Sequence, residues 1–215
     1  MTVATSIDGR TLVIKIMRPE KRNALNEAVT LGIDRAMNEL EDNPELWCGI
    51  LTGGEPVFSA GADLSVGPGA PTERGGYLGV VQRKRTKPLI AAVEGMALGG
   101  GLELVFSCDM VVAARGTVFG LPEVKRNLIP GLGGAFRVAR FLPINIAREL
   151  LLTGENLPAE RAERLGLVNH LVEPGEALNA ALALAEKICA NAPLAVREAL
   201  AVCNAEAIGD ETVLW

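Results

Sequence analysis

The chain has 215 residues, 49% of them hydrophobic but only 4% aromatic, and a net charge of −5. That is enough apolar material for one large core of Leu, Val, Ile and Ala, while the acidic balance argues against a general nucleic-acid binder, which carries a dominant basic face. The cysteines Cys48, Cys108, Cys189 and Cys203 form no CxxC pair and read as buried thiols, and no leader or bilayer-length apolar run occurs, so a cytoplasmic protein without membrane contact is expected.

TLVIKIM (11–17) alternates and is rich in β-branched residues, so it reads as a strand, followed by a loop through RPEKRNALN. Residues 26–41 place Val29, Ile33, Met37 and Leu40 at helical spacing behind Asn26 as N-cap. WCGILTG (47–53) is a second strand, FSAGADL (58–64) a loop, and 65–76 a Gly- and Pro-rich segment expected to be mobile and incomplete. A helix is expected over 77–85, a strand over 88–95, a buried helix over 102–109 and a strand over 110–116. A loop, a second glycine cluster and a helix share 119–142. Helices follow at 144–152 and 158–165, a strand and turn at 166–174, and Ala-rich helices at 175–190 and 193–206. Short buried strands alternating with helices indicate the α/β class. The chain stops on Trp215 at what reads as the opening of another helix, so further C-terminal sequence is expected.

The stretch GMALGGGLELVFSCD (95–109) puts three glycines and Glu103 between segments that read as buried. Gly95 and Gly100 have P-loop spacing, but Gly101 and Leu102 stand where that loop needs Lys and Ser or Thr, and no GxGxxG occurs. A strand, a glycine turn and a helix start together present free backbone N–H groups that suit an oxyanion. Close helix–strand packing, which only glycine allows, accounts for the same residues. Glu103 lies among apolar neighbours, and buried carboxylates are rare unless paired or functional. Glu123, after FGLP and before IPGLGG, has a similar setting. The two acids form either a general acid–base pair or two unrelated salt bridges. The single histidine, His170, reads as structural or exposed. Without a GxSxG elbow it supports no serine triad, and too few histidines or clustered acids exist for a metal site. Arg83, Lys84, Arg85 and Lys87 read as a solvated basic face.

Four blocks in order, PEKRNAL (19–25), FSAGADL (58–64), GMALGGGLELVFSCD (95–109) and FGLPEVKRNLIPGLGG (119–134), make the chain resemble the crotonase superfamily, and within it the enoyl-CoA hydratases. The resemblance covers essentially the whole chain. It implies an α/β fold with a spiral core of ββα turns over 1–190. Residues 191–215 would begin a helical C-terminal region that builds trimers or dimers of trimers. It implies an acyl-CoA thioester substrate, with coenzyme A as part of the substrate and no separate cofactor. The thioester oxygen is then held by the N–H groups of Ala62 and Gly100, and Glu103 and Glu123 are the catalytic acids. Arg18, Lys21 and Arg22, with Ala24, correspond to the nucleotide-contacting segment. Ala60, Asp63 and Leu64 correspond to the stretch that cradles adenine and the pantetheine arm. Leu121 replaces a polar residue found in several fatty-acid hydratases, and LPE also occurs in carnitinyl-CoA dehydratase-like members. That dehydratase activity, an enoyl-CoA isomerase and a non-catalytic acyl-CoA-binding protein are the competing functions.

Overall fold

A computed structural model describes residues 2–208. Its frame is set by period-two alternation. In β2 (Thr11–Ile16), Leu12, Ile14 and Ile16 join the main core, while Val13 faces a second core on the other side. The strands β3 (Cys48–Thr52), β4 (Leu89–Val93) and β6 (Met110–Ala114) divide the same way. Leu51, Leu89, Ala91, Val93, Val111 and Ala113 face the main core, and Cys48, Ile50, Ile90, Ala92 and Val112 the other. Strands covered on both faces need apolar residues at every position, which is why they read as unbroken runs.

These strands pair in parallel in the order β2-β3-β4-β6. An antiparallel β1 (Val3–Asp8) adds to one edge and β9 (His170–Val172) to the other. The main-core face is covered by α1 (Glu27–Asp42), which buries Val29, Ile33, Met37 and Leu40 and is capped by the Asn26 side chain accepting from Val29 N–H. The second face is covered by α6 (Ala177–Cys189), whose Ala177, Ala181 and Ala185 lie four residues apart and let the helix sit close on the sheet.

A smaller sheet positions the site. It pairs β5 (Met96–Leu98) in parallel with β7 (Val118–Gly120), and β7 antiparallel with β8 (Leu157–Pro158). Two successive turns of chain therefore lay one strand in the large sheet and one in the small sheet before a helical segment. β4 and β5 lead into α2 (Gly100–Val105), and β6 and β7 lead into a 3-10 turn at Pro122–Arg126. Next come α3 (Gly134–Phe141), α4 (Ile144–Thr153) and α5 (Ala159–Arg164). After β9 and α6 the description ends with α7 (Pro193–Ile208). Trp215 and the ending read from it lie outside the described residues. No helix among the described residues is long and apolar enough to cross a membrane.

Several expectations are corrected. The helix expected over 77–85 is only a 3-10 turn at Tyr77–Gly79. Leu78 there is left-handed, at φ 53°, between two glycines that also take positive φ. The segment 65–76 is tied to α1. Thr30 donates to the Pro68 carbonyl at 2.6 Å, Thr72 to Asp34 at 2.7 Å, and Arg74 grips Asp42 with two bonds at 2.7 and 2.8 Å. Of the cysteines, Cys48 and Cys108 are buried, Cys189 is half-buried and Cys203 is exposed.

The basic run at 83–87 is largely interior rather than solvated. Arg83 is buried and pairs with Asp34 and Asn38. Arg85 holds Asp109 with two bonds of 2.7 Å. Lys87, 1% exposed, donates to the carbonyls of Leu40 at 2.6 Å and Asn43 at 2.7 Å. It satisfies the end of α1, where helical carbonyls lack intrahelical partners and a cation suits the dipole. Lys87→Met leaves the Leu40 carbonyl without this partner in a buried site, while the Asn43 carbonyl keeps the Leu46 N–H at 3.2 Å. Denaturant unfolding is expected to show a loss of about 1–3 kcal/mol, where a solvated lysine would show almost none.

Candidate active site

Three extended segments meet beside α2. The buried Asn23 amide donates to the carbonyls of Gly53 at 3.1 Å and Val57 at 2.7 Å, and its Oδ1 accepts from Arg18 N–H at 2.8 Å. This joins the loop 18–25 to the chain leading into 58–64. Leu25 then bridges Ala62 in parallel: Leu25 N–H donates to Gly61 carbonyl at 2.9 Å, and Asp63 N–H donates to Leu25 carbonyl at 2.8 Å. On the other side Ser59 bridges Ala97, with Ser59 N–H on Met96 carbonyl and Leu98 N–H on Ser59 carbonyl, both at 3.0 Å.

In a parallel bridge the flanking residues supply the bonds, so the N–H of Ala62 points away from Leu25. Among the described residues neither Ala62 N–H nor Gly100 N–H donates a hydrogen bond. A Cβ built on Gly100 would lie 3.5 Å from the Ala62 nitrogen, so the two donors are neighbours. Both residues line one cavity of about 390 Å³.

Two carboxylates line the same cavity. Glu103 is 2% exposed. Its Oε1 accepts from the backbone N–H groups of Leu132 at 2.7 Å and Gly134 at 2.9 Å, at the start of α3. A Cβ on Gly134 would sit 2.9 Å from that oxygen, so only glycine allows the approach. The Glu103 carboxyl is raised to about 7: burial pushes it up most, the two N–H bonds pull it back, the Glu123 charge adds to the rise and Arg137 opposes it. Glu123 stands in the Pro122–Arg126 turn, and its Oε2 is buried without a hydrogen-bond partner. Burial raises its pKa as well. Gly99, at φ 52°, clears this acid: a Cβ there would lie 2.9 Å from Glu123 Oε1.

Two neighbouring backbone donors and two carboxyl groups with raised pKa around one cavity suit a reaction that builds negative charge on an oxygen while moving a proton. Comparison with known proteins agrees with that chemistry. The family model Enoyl-CoA hydratase/isomerase matches residues 7–212. The chain belongs to that family.

Within the family, the chain is 41% identical over 198 residues to a short-chain-enoyl-CoA hydratase of Clostridium acetobutylicum, covering 88% of this chain and 76% of that one. It superposes on a crystal structure of an enoyl-CoA hydratase from Mycobacterium tuberculosis with a TM-score of 0.92 at 49% identity, covering 99% and 86% of the two chains. A carnitinyl-CoA dehydratase from Mycobacterium avium gives a TM-score of 0.89 at 45% identity, covering 94% and 82%. The α/β crotonase-like fold read from the sequence is thereby shown.

The cavity gathers Glu103, Glu123, Ala62, Gly100, Arg22, Ala60 and Leu64, all singled out in the sequence. Four other residues singled out there do not line it. Arg18 is engaged internally, donating to Ala24 carbonyl at 2.5 Å and pairing with Asp63 at 3.2 Å. Asp63 also takes two bonds from Ser65, which with Arg18 hold its carboxyl below the usual range. Ala24 is half-buried and offers its carbonyl to Arg18, while Lys21 is exposed and does not line the cavity.

The sequence reading missed the clamp on Glu103 and the apolar lining of Met96, Leu98, Leu128, Ile129 and Leu132. The signal for the clamp was the GLGG cluster at 131–134, which the sequence reading set beside Glu123 rather than against Glu103. Among the described residues no group of three His, Cys, Asp or Glu is placed to hold a metal.

The raised Glu103 pKa has a stability consequence. The native state binds this proton more tightly than the unfolded chain, whose carboxyl titrates near 4.5. Stability from this group is therefore full below about pH 4.5 and is lost as pH rises through about 7. Glu103→Gln keeps an oxygen for the two N–H groups and removes the buried charge. Unfolding free energies should show the variant more stable than the parent by about 1–3 kcal/mol at pH 8, with the gain gone near pH 5.

Proposed function

We propose that the chain catalyses reversible syn addition of water to trans-2-enoyl-CoA, giving 3-hydroxyacyl-CoA. The observation that carries this reading is the pair of carboxylates, Glu103 and Glu123, around a cavity whose backbone offers two neighbouring, unengaged N–H groups. The thioester oxygen sits between the N–H groups of Ala62 and Gly100. Charge that builds there as water adds meets donors already in place, each worth about 3–4 kcal/mol in comparable sites. Glu103, with Oε1 fixed by Leu132 and Gly134, turns its other oxygen to the water and takes its proton as the oxygen bonds C3. Glu123 delivers a proton to C2. In the dehydration direction the same two groups exchange roles step by step.

Retention of both acids favours hydration over double-bond migration, which a single carboxylate can perform. A carnitinyl-CoA dehydratase activity is the second reading, favoured by similarity to such proteins. The cavity argues for an apolar acyl group instead: among the described residues its lining holds Leu, Ile, Met and Pro side chains and no aromatic ring to face a quaternary ammonium. A trimeric or hexameric assembly belongs to the same proposal and rests on the sequence resemblance; a cytoplasmic location belongs to it too and rests on the cysteine pattern and the hydropathy of the sequence.

The test is loss of the conjugated-enoyl absorbance of crotonyl-CoA. Glu103→Gln and Glu123→Gln should each lower kcat by about 100-fold or more while CoA still binds. Near-parent rates in either variant would remove that residue from the mechanism. Turnover of crotonobetainyl-CoA in preference to crotonyl-CoA would establish the second reading. In the parent, kcat/KM should fall as pH drops below about 7, because the Glu103 carboxylate then takes up the proton it must be free to accept.

A further inference from the structure

The helix that clamps the Glu103 carboxylate also grips the chain one turn further along. Ser107, just past the end of α2, follows Glu103 by four residues, and its hydroxyl donates to the Glu103 carbonyl at 2.8 Å. On α3, Arg137 follows Gly134 by three, so the two lie on one face. Arg137 Nη1 donates to Ser107 Oγ at 3.3 Å. The contact between α2 and α3 therefore has two rungs in register. Gly134 N–H bonds the Glu103 carboxylate, and Arg137 bonds Ser107 one turn on. Arg137 Nη2 donates to the Val81 carbonyl at 2.7 Å, which ties a third segment to the same side chain. A planar guanidinium held at two nitrogens has a fixed orientation.

Arg137 is half-buried and does not line the active-site cavity. It lines a neighbouring cavity of about 420 Å³. Arg83, Arg85, Cys108, Asp109, Arg140 and Cys203 are the other charged or titratable groups there. Arg83 is committed to Asp34 and Arg85 to Asp109. On the cavity side, Glu103 is faced by Glu123 from the 3-10 turn and by Arg22 and Arg126, both exposed and so screened by solvent. Burial raises the Glu103 carboxyl most and the Glu123 charge adds to the rise, while the two N–H bonds and the Arg137 charge oppose it. The N–H groups are fixed by the backbone, whereas the cation that acts on this acid is one replaceable side chain.

We propose that Arg137 is a positioning residue for the hydration step: anchored on Ser107 and Val81, it locks α3 against α2 and favours the ionised form of Glu103 that takes the proton of water. The role rests on the hydratase reading of Glu103. Arg137 acts only through that acid.

The test compares the parent with Arg137→Gln, Arg137→Met and Arg137→Lys. Glutamine keeps an N–H donor without the charge, methionine is a second charge-free variant in case glutamine does not fold, and lysine keeps the charge. One readout is the Glu103 carboxyl titration, followed by NMR of protein carrying isotope-labelled glutamate, with the signal assigned by its absence from Glu103→Gln. The other is kcat/KM for crotonyl-CoA across pH. In the charge-free variants the titration midpoint should move to higher pH. Their kcat/KM should fall about threefold at about pH 6 and stay within about twofold of the parent at about pH 9. Lysine should restore most of the difference. A midpoint that does not move, a loss of rate that is equal at every pH, or an Arg137→Lys variant that behaves like Arg137→Gln would each overturn the proposal. A parent that does not hydrate crotonyl-CoA would sink the hydratase reading, and the NMR titration would still decide whether Arg137 controls this acid.

Discussion

The constraint on which the rest of the site depends is the cost of keeping the Glu103 carboxylate out of water while leaving it able to ionise near neutral pH. A buried carboxylate with no partners would simply stay protonated. Here two N–H groups from the start of α3 bind one oxygen, and burial and the neighbouring acid oppose them, which brings the group to about 7. That balance needs α3 to begin within hydrogen-bond reach of α2, which in turn needs glycine at position 134. The helix order, the second glycine cluster and the pKa are one problem in packing and electrostatics.

The same economy governs the backbone donors. Ala62 and Gly100 lie on different segments, separated by the whole of β4 and β5, yet their nitrogens are neighbours. The bridges Leu25–Ala62 and Ser59–Ala97 hold them there, and the buried Asn23 side chain anchors the set through Gly53 and Val57. A folded protein normally pairs its buried N–H groups with its own acceptors. Leaving two unpaired, and Glu123 Oε2 with them, is an unfavourable arrangement that a bound oxyanion and a proton-accepting carbon would relieve.

Much of the fold was legible because strands covered on both faces must be apolar throughout, as in CGILT and LIAAV, and because α1 shows its spacing openly. The small sheet was not legible. Three residues at Met96–Leu98 and three at Val118–Gly120 are too few to show a period, and their pairing is non-local. The 83–87 run misled because charge counts as solvent-facing in composition, whereas Lys87 is needed inside at a helix end. At the site, Glu103, Glu123, Ala62 and Gly100 were singled out through the resemblance, and the structure places all four around one cavity.

The most direct measurement is a crystal structure of the protein with a slowly reacting enoyl-CoA or a 3-hydroxyacyl-CoA bound. The account predicts the thioester oxygen about 3 Å from both Ala62 N and Gly100 N, with the Glu103 and Glu123 carboxylates on the same face of the C2–C3 bond. A thioester oxygen bound by neither nitrogen, or the two carboxylates on opposite faces of that bond, would contradict it.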